Sequence, residues 1–311
     1  MPTAGVTREL LVRYLDTWTP AALHGAKRAT FAQAWAGEPD VDAAEAALRV
    51  FAEFADRLRG RRLSMVLVAP SVAAVSARLD AVQKELDTPA GLAVHGIDGA
   101  PDLLGAALKA AGAAGAPLFC AIDTDAQSTS DALTSDAAPT SVAPLPLAAV
   151  SAGRPVELLL ATPPGGWSEQ RKALRDNGFT LTSGVELVEG EAARLVSFAT
   201  SSAKSLEAFK NALWALDEYA GVHYRDPTDP HGHLLDISLN PHPGPLRREL
   251  LAHLASVGEC SVTDLRRFTL TDTIFRASDA VRAVTALISA GTVMRTPERG
   301  RLSGDVLVRL R

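Results

Sequence analysis

The sequence predicts an α/β protein in which a mostly parallel sheet ends in an antiparallel hairpin and a small helical module with a basic hairpin follows. Three observations lead there. Continuous apolar runs such as LSMVLVAP (63–70) and VELLLAT (156–162) alternate with amphipathic stretches, as buried parallel strands and their crossover helices do. Two strand-like runs, TLTSGVELV and ARLVSFAT, are joined by the acidic turn Glu189-Gly190-Glu191-Ala192. The C-terminal stretch resolves into three amphipathic segments and two short strands. At 311 residues the chain suggests two domains. We divide it into 1–225, a linker 226–244, and 245–311.

Residues 6–23 place Leu10, Leu11, Tyr14, Leu15 and Trp18 on one helical face. RATFAQAW (28–35) reads as a strand, and Ala43–Leu58 as a helix with Ala44, Ala47, Leu48, Phe51, Phe54 and Leu58 inward. The run 63–70, a helix near Ser71–Leu86, the strand LAVHGI, a helix near Pro101–Ala111 and the strand PLFCAID come next. Such alternation implies right-handed βαβ units. Residues 124–146 are small, polar and proline-bearing, which predicts a mobile loop. After VELLLAT come a helix over Glu169–Asn177 and the hairpin. A hairpin closing a parallel sheet characterises Rossmann-like folds of the class I methyltransferase type, a likeness of architecture that says nothing of activity. Ser205–Tyr219 carries the stripe Leu206, Phe209, Leu213, Leu216 and Tyr219, and GVHYRDPTDPHGHLLDISLNPHPGP reads as a linker.

In the C-terminal module Pro245 suits the first turn of a helix, where its missing N–H is harmless. Leu246, Leu250, Leu254 and Val257 follow at helical spacing, and Gly258 can close that helix. Ser261 with Asp264 can cap the next, which presents Leu265 and Phe268. A third helix over Ser278–Ala290 turns Val281, Val284, Leu287 and Ile288 inward and Arg282, Thr285 and Ser289 outward. Three helices and a basic hairpin describe a winged helix-turn-helix. Its candidate nucleic-acid-binding residues are Arg276, Arg282, Arg295, Arg299 and Arg301, with the third helix in the major groove and the wing on phosphates. Only Arg282 is basic on that helix's outer face, and winged helices also mediate protein contacts. DNA binding, docking to a protein or within the chain, and self-association through the Leu206–Tyr219 stripe all stay open.

Composition narrows the classes. With 47% hydrophobic residues the chain can bury a core. No run approaches about 18 apolar residues, so no membrane span is expected. MPTAGVTREL lacks the pattern of a secretory leader. Cys120 and Cys260 lie far apart, which suits reduced thiols and a cytoplasmic location. The Ala, Arg and Asp richness suggests a bacterial source. The net charge of −5 is uneven: Leu246–Arg311 holds 11 Arg and 7 acidic residues, the remainder 20 basic and 29 acidic ones. Such an acidic body with a basic end suits a polyanion met by that end alone.

The stretches RELLVRYLDTWTP, FAQAWAGEPD, PLFCAID, LVSFATSSAKSLEAFKNALWALD, GVHYRDPTD and DTIFRASDAVRAVTALISAG together resemble the three-Cys-motif partner proteins, in order and over nearly the whole chain. The most specific part is ALWALDEYAGVHYRD. The resemblance implies a methyltransferase-like domain whose cofactor would be S-adenosylmethionine. The family's glycine-rich loop, Asp-Gly-Phe-Ala-Gly-Pro-Gly, falls here on Gln33, Ala34, Gly37 and Pro39 at its acid and three glycines. Proline cannot supply a backbone donor. The ribose-binding acid expected after the second strand is replaced by Ala69 and Ser71, and the family's Ile-Asp-Pro-Phe-Gly by Ile122-Asp123-Thr124-Asp125-Ala126. Each charge-assisted hydrogen bond contributes about 1.5–3 kcal/mol. Losing two carboxylates therefore weakens cofactor binding by roughly 10²- to 10⁴-fold. The expectation is a degenerate pocket that takes no cofactor. The alternative is a divergent methyltransferase with Gly37, Asp98 and Asp123 as its cofactor-binding remnant and Asp123 as a candidate catalytic residue.

Other constellations carry less. Asp123, Asp125, Asp131 and Asp136 could face a divalent cation, and His223, His231, His233 and His242 a zinc ion. Solvated loop residues are the expectation in both, so no metal is expected. TPPGGW (162–167) resembles a catalytic strand-end loop, but nucleic-acid amino methyltransferases carry Asp or Asn where Thr162 stands. A plain turn is expected there. Hydrolase and NTPase motifs are absent.

Overall fold

The computed structural model describes residues 3–124, 147–151, 153–216 and 222–311. Asp125, Asp131, Asp136 and Tyr219, and most of the predicted 124–146 loop, lie outside them. Helix α1 (Thr3–Gly25) leads into β1 (Arg28–Trp35), α2 (Val41–Glu53), a 3-10 turn at Ala55–Leu58, β2 (Arg62–Ala69), α3 (Ala73–Glu85) and β3 (Leu92–Asp98). Then come α4 (Leu104–Ala110), β4 (Leu118–Asp123), α5 (Leu147–Val150), β5 (Val156–Thr162) and α6 (Trp167–Asp176). The hairpin β6 (Leu181–Glu189) and β7 (Ala192–Thr200) precedes α7 (Ala203–Trp214), β8 (Val222–Arg225) and β9 (Leu234–Leu235).

These strands form one sheet in the order β3-β2-β1-β4-β5-β7-β6-β8-β9. The pairs from β3 across to β5 are parallel, and β7 runs antiparallel between β5 and β6. The mostly parallel sheet with its reversed hairpin is therefore present, in the strand order of class I methyltransferase-type domains. Alternation along each strand splits the core into two layers. Phe31 and Trp35 of β1 join α1, α2, α3 and α7 on one face. Ala32 and Ala34 join α4, α5 and α6 on the other. The stretch expected to be all linker instead opens with β8 and contains β9, which extend the sheet beyond the hairpin. Helix α7 stops at Trp214, short of the expected Tyr219, although Leu216 beyond its end is still buried.

The C-terminal module comprises α8 (Gly244–Val257), β10 (Glu259–Ser261), α9 (Val262–Asp272), α10 (Ala277–Ser289), β11 (Val293–Thr296) and β12 (Leu307–Leu310). Its antiparallel strands take the order β10-β12-β11, and β10 is an element the sequence did not announce. Gly258 ends α8 with φ +84°, a left-handed conformation that favours glycine. Ser261 and Asp264 form the expected capping box of α9. Val257 departs from expectation: at 48% exposure it faces solvent in the last turn, while Leu246, Leu250 and Leu254 are buried.

This module shares the core of the sheet's α1 face. The join is polar at its centre. Lys210 of α7 is fully buried, and its Nζ donates to the carbonyls of Thr269 at 3.2 Å, Thr273 at 2.5 Å and Phe275 at 3.0 Å. Those carbonyls lie at and just past the C-terminal end of α9, where helix acceptors lack partners and a cation suits the dipole. Trp214 adds a hydrogen bond to the Ile274 carbonyl at 3.0 Å and stacks on Phe275 at 5.4 Å. Burial lowers the Lys210 pKa to about 7, with Glu249, Asp226 and Asp272 opposing the shift. Glu249 itself is raised to about 8, first by burial and then by Asp226.

Lys210→Met keeps the aliphatic stem and strands the carbonyls. It is expected to lower unfolding stability in urea by about 1–3 kcal/mol and to speed amide exchange across α9 and α10. Between about pH 7 and 10.5 the folded state releases a proton that the unfolded chain still holds, so the Lys210 contribution rises with pH. Stability profiles of Lys210→Met should lack that rise. Glu249 acts oppositely, its contribution falling between about pH 4.5 and 8, and Glu249→Gln should flatten that fall.

Candidate functional site

In open α/β sheets ligands bind beyond the carboxyl ends of the strands, where the strand order reverses. Here that place lies between β1 and β4. Gln33 and Trp35 arrive from β1, Asp123 from β4, Ala161 from β5 and Arg194 from β7. The first turns of α1, through Ala4, Thr7, Arg8 and Leu11, cover them. Arg8 is strapped to Asp42 at 2.6 Å, with Asp40 at 3.9 Å.

Among the described residues the space within this half-open crevice is about 50 Å³, below the about 300–1,000 Å³ of small-molecule sites. Two features narrow it. Arg194 Nη2 lies 3.2 Å from Asp123 Oδ2, with the side chains only 9% and 24% exposed, and Trp35 is buried in the wall. Gln33 is buried with Oε1 lacking a hydrogen-bond partner among the described residues.

Of the three cofactor-binding candidates only Asp123 lines the crevice. Gly37 sits half-buried in the turn after β1. The Ala36 N–H, donating to the Asp123 carbonyl at 2.9 Å, and Asp40, whose Oδ1 caps α2 through the Ala43 N–H at 2.8 Å, hold that turn. Asp98 is exposed at the end of β3 and accepts the Val72 N–H at 2.8 Å, which anchors the entry to α3. Trp35 lines the crevice. Phe31 lies deeper, packed on Phe51 at 5.3 Å and Phe119 at 5.5 Å.

TPPGGW follows β5 and forms a turn. Gly165 and Gly166 adopt φ +85° and +66°, and the Gly165 N–H bonds Glu186 Oε1 at 3.1 Å. Two of the linker histidines turn to local partners, His233 to Asp229 at 2.6 Å and His242 to the Gly244 N–H at 3.2 Å. His223 Nδ1 lies 3.3 Å from Asp236 without a hydrogen bond among the described residues. Among the described residues no group of three metal-binding side chains gathers.

The five arginines of the C-terminal module divide. Arg276, whose side chain is 13% exposed, donates to both Asp279 oxygens at 2.9 Å and to the Leu239 carbonyl at 2.7 Å. Arg282 reaches Asn240 Oδ1 at 3.1 Å, the Pro241 carbonyl at 3.0 Å and Asp279 at 3.2 Å. Arg295 folds the loop between β11 and β12 onto itself through the carbonyls of Pro297, Gly300 and Arg301. Arg299 and Arg301 are exposed in that loop. The i, i+3 spacing of Arg276, Asp279 and Arg282 was the available sign that the first two arginines serve the fold. Arg194 gave no such sign.

No family model matches the chain, and no curated protein matches it. Among solved structures, a METTL16 MTase domain is similar with TM-score 0.36 and 12% identity, over 65% of this chain and 70% of that one. EvdMO1 is similar with TM-score 0.36 and 13% identity, over 66% of this chain and 44% of that one. The fold assignment rests on strand order and register, and these likenesses add nothing about activity. No helix among the described residues is long and apolar enough to cross a membrane.

Removing the crevice cation tests whether it is structural. Arg194→Met is expected to lower unfolding stability by about 1–3 kcal/mol in urea denaturation, because the mostly buried Asp123 carboxylate loses a close charged donor.

Proposed function

We propose that this chain is a catalytically degenerate relative of the methyltransferases, a non-catalytic scaffold that acts through its C-terminal module on DNA or a protein partner. The observation that carries the reading is the narrow crevice: about 50 Å³, with Arg194 on Asp123 and Trp35 in the wall. We take the C-terminal module to be a winged helix. Its element order of helix, strand, two helices and two strands supports this, as does the β10-β12-β11 sheet. Kinship with the three-Cys-motif partner proteins stays part of the same proposal.

The disposition of the arginines favours phosphate contact by the wing, through Arg299 and Arg301, over base reading by α10. Around Arg282 the outer face of α10 offers only Ser278, Thr285 and Ser289 as exposed polar side chains. Contacts of that kind position a protein on DNA without reading its sequence.

Calorimetric titration with S-adenosylmethionine should give no saturable heat up to about 1 mM. A micromolar dissociation constant would overturn the non-catalytic reading and favour the divergent methyltransferase. In fluorescence anisotropy with a random duplex, affinity should fall steeply between about 50 and 200 mM salt. The pair Arg299→Ser and Arg301→Ser should weaken binding to all sequences alike. Absent or salt-insensitive binding removes DNA as the target and leaves a protein partner.

A further inference from the structure

The opposite end of the sheet, at the amino-terminal ends of β4 and β5, holds a cavity of about 370 Å³, within the range of small-molecule sites. The second half of α1 walls it with Tyr14, Thr17 and Trp18, and the start of α7 with Ser205. Glu157 lines it as well. This acid interrupts the apolar run of β5 and is 4% exposed.

Glu157 is held by neutral groups alone. Its Oε2 accepts from the Tyr14 hydroxyl and its Oε1 from Ser205 Oγ at 2.6 Å. Among the described residues it makes no ion pair with Lys, Arg or His. Arg154, at the rim, donates instead to the carbonyls of Ser151 and Gly153 at 2.6 Å. Burial raises the Glu157 carboxyl above its ordinary value, with both hydroxyls opposing, and the Tyr14 phenol is raised too, first by burial and then by Glu157. The triad ties α1, β5 and α7 together, which accounts for the buried acid. It does not account for an open cavity beside that acid, where each carboxylate oxygen keeps acceptor capacity.

We propose that this cavity binds a small organic cation, a primary ammonium group donating to Glu157 with its hydrocarbon body against Trp18 and Tyr14. A buried carboxylate without a counter-charge is unfavourable, and a bound ammonium supplies it. The aromatic walls suit the cation and its apolar body equally. Anions are repelled by Glu157 at the base. Lys204 and Arg154 are exposed at the mouth, where solvent and salt screen their repulsion. The site is independent of the narrow crevice and stands or falls apart from the function proposed above.

The test is calorimetry on the full chain with phenethylammonium and with 2-phenylethanol, its uncharged counterpart. The amine should bind saturably, and the alcohol at least about tenfold more weakly. Glu157→Gln keeps the shape and removes the charge, and should weaken amine binding at least about tenfold. Ala208 lines the cavity one turn of α7 beyond Ser205 and bonds to no member of the triad, so Ala208→Phe should abolish binding by filling it even if Glu157→Gln fails to fold. No saturable amine binding by about 10 mM, equal binding of the alcohol, or undiminished binding by a folded variant overturns the proposal.

Discussion

Helix α1 lies along the sheet with Leu10, Tyr14, Leu15 and Trp18 buried against it. Tyr14 packs edge-on to Phe119 at 5.1 Å and Phe198 at 5.0 Å. Burying a large apolar side chain contributes about 1.5–3 kcal/mol, so this face alone holds the helix firmly. At 23 residues it spans roughly 35 Å, enough to reach both ends of the parallel strands. Its first turns cover the carboxyl-end crevice. Its later turns, with Tyr14 and Trp18, leave room beside Glu157 at the other end. One packing choice therefore leaves a narrow crevice at the carboxyl ends of the strands and a larger cavity at the other end.

The second constraint is the buried amino group of Lys210. Three carbonyls at the end of α9 meet its Nζ, and Trp214 secures the neighbouring carbonyl. A lysine is rarely so deeply buried unless its donors are all used. Here they are used to terminate a helix belonging to the other module. The C-terminal module is thus bound into the core of the sheet. Any partner it meets is presented with the α/β unit in a defined orientation.

Much of the fold was legible in the sequence because its strands are continuous apolar runs and its helices amphipathic. RATFAQAW and VELLLAT match β1 and β5 residue for residue. The misses have local causes. Strands β9 and β10 contain two and three residues, too few for any period to show. In α7 the stripe ran past Trp214 because Leu216 remains buried after the helix has ended. At the site, Gln33 and Asp123 were legible as departures from and remnants of a family pattern. Arg194 was not, since an arginine in a strand gives no hint that it will reach an aspartate on β4. Lys210 and Glu157 were visible only as charges inside apolar segments, and their partners are distant in sequence.

The functional account turns on what occupies the crevice between β1 and β4. On the proposed reading the Arg194–Asp123 pair stands where an adenosyl group would lie, in a space of about 50 Å³. Crystals grown with S-adenosylmethionine decide between them. The account predicts Arg194 on Asp123, Trp35 in the wall and no nucleoside. A bound adenosyl group between the two strand ends, with Arg194 swung away, contradicts it.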